Sequence, residues 1–312
     1  MTEKVILEAK NLSKWYGDVR GILGVNLEIP KGITGLVGSN AAGKTTLLHL
    51  IAGLLKPSQG EVLVLGENSF SGTHFRRHLG LCPQKEALYQ NITVLEFVSI
   101  LTELHGFSSR EARQKAIQAI EKVRISHKLN QKIETLSKGM RQCVKLAQAI
   151  AHDPEILLLD EVLTGCDPLV KHHLKELFKE MERQGATIFI TSHNLKEMEA
   201  LTDQVVILDR GKMVAHGKIA ELQKQAKKQE NRVSIEGENL RSLACDLLSF
   251  QDVTGIEIQE DDRTILVSTK DFESFSLRLP QLLSEKDYRI KKIMPVTQNL
   301  ESLFRFLVGG VH

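Results

Sequence analysis

The sequence has 312 residues, of which 42% are hydrophobic and 26% are charged, and its formal net charge is only +2. This composition is typical of a globular protein, and it excludes both a disordered chain and the strongly basic surface that nucleic-acid binding favours. Because the length exceeds that of one typical domain, the sequence predicts two compact units that each bury a core.

No segment of the sequence is expected to enter a membrane. No apolar run approaches the roughly 18 residues of a spanning helix, and the longest runs, such as residues 156–159, have the length of a strand. An acidic residue, Glu3, lies where the apolar core of a signal peptide would be expected. The sequence therefore predicts a cytoplasmic protein.

The cysteines are scattered along the chain without the C-x-x-C spacing of a zinc site or a redox motif. They are Cys82, Cys143, Cys166 and Cys245. This distribution predicts reduced and mostly buried thiols, not a disulfide framework.

The first two thirds of the sequence alternate short β-rich runs with amphipathic helical segments. The predicted strands cover residues 5–9, 25–29, 34–37, 62–65, 156–160, 187–191 and 205–209. This alternation predicts an α/β unit with a mainly parallel sheet. Because several strands are almost continuously apolar, we expect them to be buried on both faces.

Predicted strands are missing between about residues 92 and 150, which predicts a helical subdomain within the α/β unit. Ser108, followed three residues later by Glu111, predicts a capping box at the start of a helix. Further along, four apolar residues recur at helical spacing and predict a stripe that faces the core. They are Leu174, Leu177, Phe178 and Met181.

A polar stretch rich in lysine and glutamine, residues 224–231, predicts a boundary between a first unit, 1–223, and a second unit, 231–312. The predicted elements of the second unit are, in the order β-α-β-β-α-β, residues 232–236, 240–248, 254–259, 263–269, 272–284 and 288–294. This order is that of a small α+β, ferredoxin-like domain. A last amphipathic helix is predicted after Thr297, with an apolar face made of Leu300, Leu303, Phe304 and Leu307.

The strongest indication of chemistry lies between the predicted strand 34–37 and an apolar helix that starts at Thr46. This segment matches the phosphate loop G-x-x-x-x-G-K-[ST] and consists of Gly38, Ser39, Asn40, Ala41, Ala42, Gly43, Lys44 and Thr45. The glycines allow backbone N–H groups to face an anion, and the helix start adds a partial positive charge. We expect Lys44 to contact the β- and γ-phosphates of a nucleotide, and Thr45 to hold Mg²⁺.

Two adjacent carboxylates end the predicted strand 156–160. Because side chains alternate in direction along a strand, Asp160 and Glu161 can have different roles. We expect Asp160 to hold Mg²⁺ and Glu161 to orient or deprotonate the water that attacks the γ-phosphate. Without the phosphate loop, such a pair would indicate only a solvated strand end.

Shortly before that strand, residues 136–142 have the sequence Leu-Ser-Lys-Gly-Met-Arg-Gln. This segment resembles the LSGGQ-like signature motif of ABC-type ATPases, the nucleotide-binding subunits of membrane transporters. The resemblance covers roughly residues 4–220. It implies that Ser137 and Gly139 contact the γ-phosphate of ATP bound by a partner subunit, so that two copies or two related chains share each nucleotide.

Other elements of the family follow in the expected order. Tyr16 resembles the aromatic residue that stacks on adenine. Gln84 resembles the Q-loop glutamine, which senses Mg²⁺ and contacts the membrane partner. Asp167 resembles the D-loop aspartate, and His193 resembles the switch histidine that contacts the γ-phosphate.

The resemblance therefore implies an ATP hydrolase with ATP and Mg²⁺ as cofactors. The implied catalytic residues are Lys44, Gln84, Glu161 and His193, and the implied Mg²⁺ ligands are Thr45, Gln84 and Asp160. The implied nucleotide contacts are Tyr16, the phosphate loop with Thr46, Ser137, Gly139 and Asp167. The implied partners are a second ATP-binding subunit and an integral membrane permease, which would hold the chain at the inner face of the cell membrane; nucleic acid is not among them.

Residues 299–304 are similar to the end of ABC ATPases that export drugs, antibiotics or sodium and often carry a small C-terminal domain. The expected direction of transport is therefore export. Three departures from the family pattern leave the chemical groups in place: Lys138 replaces the first glycine of the signature, Ala41 replaces a loop glycine, and residues 162–164 replace the usual Pro-Thr-Ser or Pro-Thr-Asn.

Two other interpretations share these motifs. A soluble ABC ATPase that acts on ribosomes would usually carry two cassettes, and one that acts on DNA would interrupt the cassette with a coiled coil or a zinc module; this chain has one uninterrupted cassette. A regulatory subunit without hydrolysis is disfavoured because Lys44, Glu161 and His193 are all present.

Overall fold

The computed structural model describes residues 5–85, 88–227, 231–259, 263–286 and 288–295. The chain divides into two compact units, Met1–Ile219 and Ala220–His312, a few residues before the boundary predicted at 223. Within the described ranges, no helix is both long and apolar enough to cross a lipid bilayer.

The first unit contains two sheets. Its described strands are β1 (Val5–Tyr16), β2 (Val19–Pro30), β3 (Ile33–Gly38), β4 (Gln59–Val64), β5 (Glu67–Asn68), β6 (Leu79–Cys82), β7 (Ile156–Asp160), β8 (Thr187–Ser192), β9 (Gln204–Asp209) and β10 (Lys212–Lys218). Its described α-helices are α1 (Lys44–Ile51), α2 (Val94–Glu103), α3 (Ser109–Lys122), α4 (Lys138–Ile150), α5 (Pro168–Arg183) and α6 (Leu195–Glu199), and α7 (Ile219–Lys227) follows.

The larger sheet has the strand order β10-β9-β3-β8-β7-β6, and all its neighbours from β9 to β6 are parallel. Every residue of β3, β7 and β8 is buried, as expected for parallel strands covered on both faces. The predicted α/β class and its mainly parallel sheet are confirmed.

The sequence did not predict that the strands of the first unit form two separate sheets. The predicted strands 5–9, 25–29 and 62–65 lie in β1, β2 and β4, which form an antiparallel sheet with the order β2-β1-β4-β5. In β2, buried and more exposed residues alternate, because one face packs on the core while the other is open to solvent.

The parallel strands determine where the site lies. In the larger sheet β3, β8 and β7 are adjacent and run in the same direction, so their carboxyl ends lie at one edge. Gly38 ends β3, Asp160 ends β7, and His193 follows the end of β8. This edge of an open α/β sheet is the usual place for a ligand.

The helical segment consists of α2, α3 and α4. The predicted capping box is present at the start of α3: the Glu111 N–H donates to Ser108 Oγ (3.4 Å), and the Ser108 N–H donates to Glu111 Oε2 (3.0 Å). The predicted apolar stripe of α5 is buried and comprises Leu174, Leu177, Phe178 and Met181. Of the cysteines, Cys245 is exposed and the other three are buried.

After α7, which spans the division between the units, the described part of the second unit contains an antiparallel sheet with two helices. Its described elements are β11 (Asn231–Gly237), α8 (Leu240–Leu247), β12 (Val253–Ile258), β13 (Thr264–Thr269), α9 (Phe272–Glu285) and β14 (Ile290–Pro295). The strand order is β12-β13-β11-β14, and the elements follow the predicted β-α-β-β-α-β order. The core includes Ile235, Leu243, Val267 and Phe275. The helix predicted after Thr297 lies outside the described residues.

Candidate nucleotide-binding site

The phosphate loop joins the end of β3 to the start of α1, and its backbone depends on glycine at two positions. A Cβ on Gly38 would lie 2.5 Å from the Leu208 carbonyl oxygen, and one on Gly43 would lie 2.5 Å from the Gly21 carbonyl oxygen. Ala41, which stands where the family has glycine, has a φ of +64° in the left-handed region that favours glycine. The loop therefore makes a tight, glycine-dependent turn between β3 and the start of α1.

Lys44 is the first residue of α1, at the end of this loop, and is only 7% exposed. Its Nζ donates to the carbonyl oxygens of Gly38 (2.8 Å) and Ser39 (3.1 Å), and it lies 3.8 Å from Glu161 Oε1. Burial lowers the pKa of Lys44, and the charges of Glu161 and Asp160 act in the opposite direction. The structure thus places a buried cation beside the predicted pair of acids.

Asp160 is buried at the end of β7, and each of its carboxylate oxygens accepts a hydrogen bond. Thr45 Oγ1 donates to Oδ2 (2.8 Å) and Thr191 Oγ1 donates to Oδ1 (2.7 Å). Thr191 Oγ1 also accepts from the Glu161 N–H (2.9 Å). Thr191 was not identified from the sequence. The one feature that could have indicated it is that it is a polar residue near the end of an apolar strand.

Glu161 follows β7 in the left-handed region, with a φ of +53°, an arrangement that costs free energy and occurs often at functional sites. Thr164 Oγ1 donates to its Oε2 (2.8 Å), and His193 Nδ1 lies 2.9 Å from the same oxygen. A carboxylate only accepts, so Nδ1 carries the hydrogen in this contact. Oε2 is thus held by two donors, and Oε1 is the oxygen on the side of Lys44. The sequence did not single out Thr164 as a site residue.

Tyr16 lies near the start of α1. Its side chain is exposed, its hydroxyl lies 3.4 Å from Thr46 Oγ1, and Lys14 Nζ is 5.6 Å from the centre of its ring. An exposed ring beside a phosphate loop is a suitable surface for stacking a base.

Gln84 follows β6 and is exposed. Among the described residues, no hydrogen bond joins its side chain to Thr45 or Asp160, the two residues with which it was predicted to hold Mg²⁺. Its backbone carbonyl oxygen accepts a hydrogen bond from Lys145 Nζ (3.0 Å).

The signature and D-loop residues form a separate group. Ser137 is the N-cap of α4, and its Oγ accepts from the Met140 N–H (3.3 Å). A Cβ on Gly139 would lie 3.8 Å from the Gly165 carbonyl oxygen, and Asp167 caps α5. In the described part of the chain, no hydrogen bond or ion pair joins Ser137, Gly139 or Asp167 to the phosphate loop.

Residues 22–164 match the family model described as ABC transporter. The chain is 30% identical to the linearmycin resistance ATP-binding protein LnrL of Bacillus subtilis, over 97% of this chain and 98% of that protein. It is 31% identical to the bacitracin transport ATP-binding protein BcrA of Enterococcus faecalis, over 99% of this chain and 98% of that protein. The chain therefore belongs to the family of ABC transporter ATP-binding proteins.

A solved structure gives the same result at the level of the fold. The chain superposes with a TM-score of 0.64 on a dimeric ATP-binding cassette in a post-hydrolysis state bound to ADP and Pi, with 25% identity over 68% of this chain and 98% of that one. The resemblance drawn from the motifs is confirmed, and the chain is an ABC-type ATP hydrolase and a transport subunit. The comparisons give no support to a role on ribosomes or DNA.

Proposed function

We propose that the chain binds Mg·ATP at its phosphate loop and hydrolyses it between two ATP-binding subunits, which drives export through a separate membrane permease. One observation carries the proposal: Lys44, Asp160, Glu161 and His193 are brought together at the carboxyl ends of β3, β7 and β8. This cluster combines a phosphate-binding cation with an acid that can accept a proton from water.

Binding rests on the phosphate loop. The backbone N–H groups of the loop and the start of α1 attract the phosphates, and Lys44 turns its ammonium from the loop carbonyls to the β- and γ-phosphates. Tyr16 stacks on the base. The protein therefore contributes both the anion site and the orientation of the nucleotide.

The residues present fit Mg²⁺. Thr45 Oγ1 and Asp160 Oδ2 lie 2.8 Å apart, and hydroxyl and carboxylate oxygens are the hard ligands that this ion prefers. Thr45 and Asp160 would hold the ion, directly or through water, with Gln84 as a third ligand. When bound, Mg²⁺ neutralises charge on the β- and γ-phosphates.

Hydrolysis rests on Glu161. Its Oε2 is occupied by Thr164 and His193, so Oε1 is the oxygen that accepts a hydrogen bond, and then a proton, from the attacking water. Lys44, 3.8 Å away, holds the phosphate oxygens beside that water. His193 orients the carboxylate and contacts the γ-phosphate.

The second group of residues acts on the nucleotide of the partner subunit. Ser137 and Gly139 at the start of α4 contact the γ-phosphate of that nucleotide, and Asp167 lies beside them. This arrangement is supported by their separation from the phosphate loop of their own chain and by the dimeric cassette to which the chain is similar.

Export is supported by the relatives, because one is named for resistance to linearmycin and another for bacitracin transport. The chain acts at the inner face of the cell membrane through an integral membrane permease. The transported compound is selected by that permease.

The replacement Glu161→Gln tests the catalytic role. The variant keeps ATP binding and hydrolyses ATP slower by roughly 10² or more, because the amide neither accepts the proton nor carries the charge that orients the water. The measurements are phosphate release and equilibrium binding of a fluorescent ATP analogue. Lys44→Ala is the comparison variant, because it loses nucleotide binding whereas Glu161→Gln keeps it. Turnover of Glu161→Gln at the wild-type rate contradicts the role of Glu161.

A further inference from the structure

β6 is an edge strand of the larger sheet, because it pairs only with β7 among the described strands. Alternate residues of a strand direct their carbonyl groups to the same side. The carbonyl groups of Leu79, Leu81 and Pro83 thus face away from β7, and buried carbonyls without a partner are costly.

Side chains from α4 and the residues just after it cover this edge. His152 Nε2 lies 3.2 Å from the Leu79 carbonyl oxygen, Gln148 Nε2 donates to that of Leu81 (2.8 Å), and Lys145 Nζ donates to that of Pro83 (2.8 Å). Spacings of three and four residues place Lys145 and Gln148 on one side of α4, and His152 continues this side just after the helix ends. We call the three the edge ladder.

Lys145 differs from the other two members of the edge ladder. It is only 2% exposed, and Nζ makes a further hydrogen bond, 3.0 Å long, to the carbonyl oxygen of Gln84. Burying an ammonium group is expensive unless its donors are satisfied, whereas an apolar side chain could fill the same place without that cost. The ammonium group of Lys145 thus holds the backbone carbonyl groups of Pro83 and Gln84, the two residues that follow β6.

We propose that Lys145 is a positioning residue for Gln84 and that α4 is tied through the edge ladder to the Q-loop. The inference rests on the proposed function. α4 carries Ser137 and Gly139 at its start, so a movement of this helix on contact with the partner's nucleotide displaces the Gln84 backbone through Lys145. Through α4, the nucleotide bound at the partner's phosphate loop is thus connected with the Q-loop of this chain, which lies beside this chain's own nucleotide.

A double-mutant cycle on the full chain tests this role. Lys145→Met keeps the length of the side chain and removes its donors, and Gln84→Ala removes the group that Lys145 positions. Each variant lowers kcat for ATP hydrolysis by about tenfold, because Lys145→Met removes the strong positional restraint of a charge-assisted hydrogen bond and Gln84→Ala removes the side chain that it positions. The double variant falls by about tenfold as well, because both changes disable the same element.

Gln148→Met is the matched control. It removes the contact with Leu81 from the same helix and leaves the contact with Gln84, so its effect on kcat multiplies with that of Gln84→Ala. Lys145→Arg keeps a charged donor and retains most of the wild-type kcat. If Lys145→Met does not fold, Lys145→Gln, which keeps a neutral donor, takes its place in the cycle.

A multiplicative cycle, with the double variant about a hundredfold below wild type, contradicts the positioning role, as does a loss of kcat in Lys145→Arg equal to that in Lys145→Met. These outcomes differ from failure of the proposed function. If Glu161→Gln retains wild-type turnover, the proposed function fails, whereas a slow Glu161→Gln variant together with a multiplicative cycle removes only the role of Lys145.

Discussion

Thr191 shows how one residue fixes the candidate catalytic acids. Its buried hydroxyl donates to Asp160 Oδ1 and accepts from the backbone N–H of Glu161, so it holds both acids at the strand end. The acids themselves were predictable, because two carboxylates after an apolar run stand out in the sequence. Thr191 was not, because only the pairing of β7 with β8 brings it beside Asp160.

The replacement Thr191→Val tests this arrangement. Valine keeps the shape and removes the hydroxyl, which leaves an oxygen of Asp160 and the N–H of Glu161 without this partner, and the free energy of unfolding falls by about 1–3 kcal/mol. Urea denaturation gives the stability, and phosphate release gives a lower kcat. Thr187→Val is the control, because Thr187 is buried in the same strand and its hydroxyl makes no hydrogen bond within the described ranges. Equal losses in the two variants would contradict the role of Thr191.

In the larger sheet, the buried central strands were the most predictable elements, and the edge strands β6 and β10 were the least. The prediction 156–160 has the bounds of β7, because a continuous apolar run bounded by polar residues leaves little choice. β6 and β10 were missed: β6 has only four residues, and β10 is rich in polar residues without full burial. An edge strand is stabilised by its neighbours, and β6 depends on side chains of α4 that are distant in sequence.

His152, whose ring contacts the Leu79 carbonyl group of β6, predicts that the stability of the protein depends on pH. Burial, together with the nearby His105 ring, lowers the pKa of His152 to about 4, and the two rings are stacked with 3.7 Å between their centres. The unfolded chain, with an ordinary histidine pKa of about 6.5, binds a proton that the folded chain does not. This group therefore lowers the free energy of unfolding as the pH falls from about 6.5 to about 4.

The variant His152→Gln keeps an amide donor for the Leu79 carbonyl and does not titrate. We expect its urea midpoint to fall less than that of the wild type between pH 7 and pH 5, because the difference in proton binding at this position is gone. An equal or larger fall in the variant would show that His152 does not stay neutral in the folded chain.

At the scale of the whole molecule, most of the candidate site residues fall into two groups. Lys44, Asp160, Glu161 and His193 form one, and the start of α4 with Asp167 forms the other. The motifs singled out every member of these groups as a candidate, because each lies in a recognisable sequence. The family resemblance implied that the second group acts on a partner's nucleotide. Sequence order alone did not reveal this separation, because it depends on where the helical segment lies in the fold.

On the proposed mechanism, each group is completed by the other group of a second copy. A head-to-tail pair of chains places the phosphate loop of one copy opposite the signature of its partner, and symmetry generates two equivalent sites. Because each site needs residues from two copies, it can be tested with a mixture of two variants, in a way that no property of a single chain can explain.

The most direct test is complementation between two inactive variants of the full chain. Lys44→Ala keeps its signature and loses its phosphate loop, while Gly139→Asp keeps its phosphate loop and places a negative charge in its signature. We predict that an equal mixture recovers about a quarter of wild-type ATP turnover, because half of randomly formed dimers are mixed and each of these has one intact site. A mixture as inactive as its separate components would contradict a nucleotide shared between two copies.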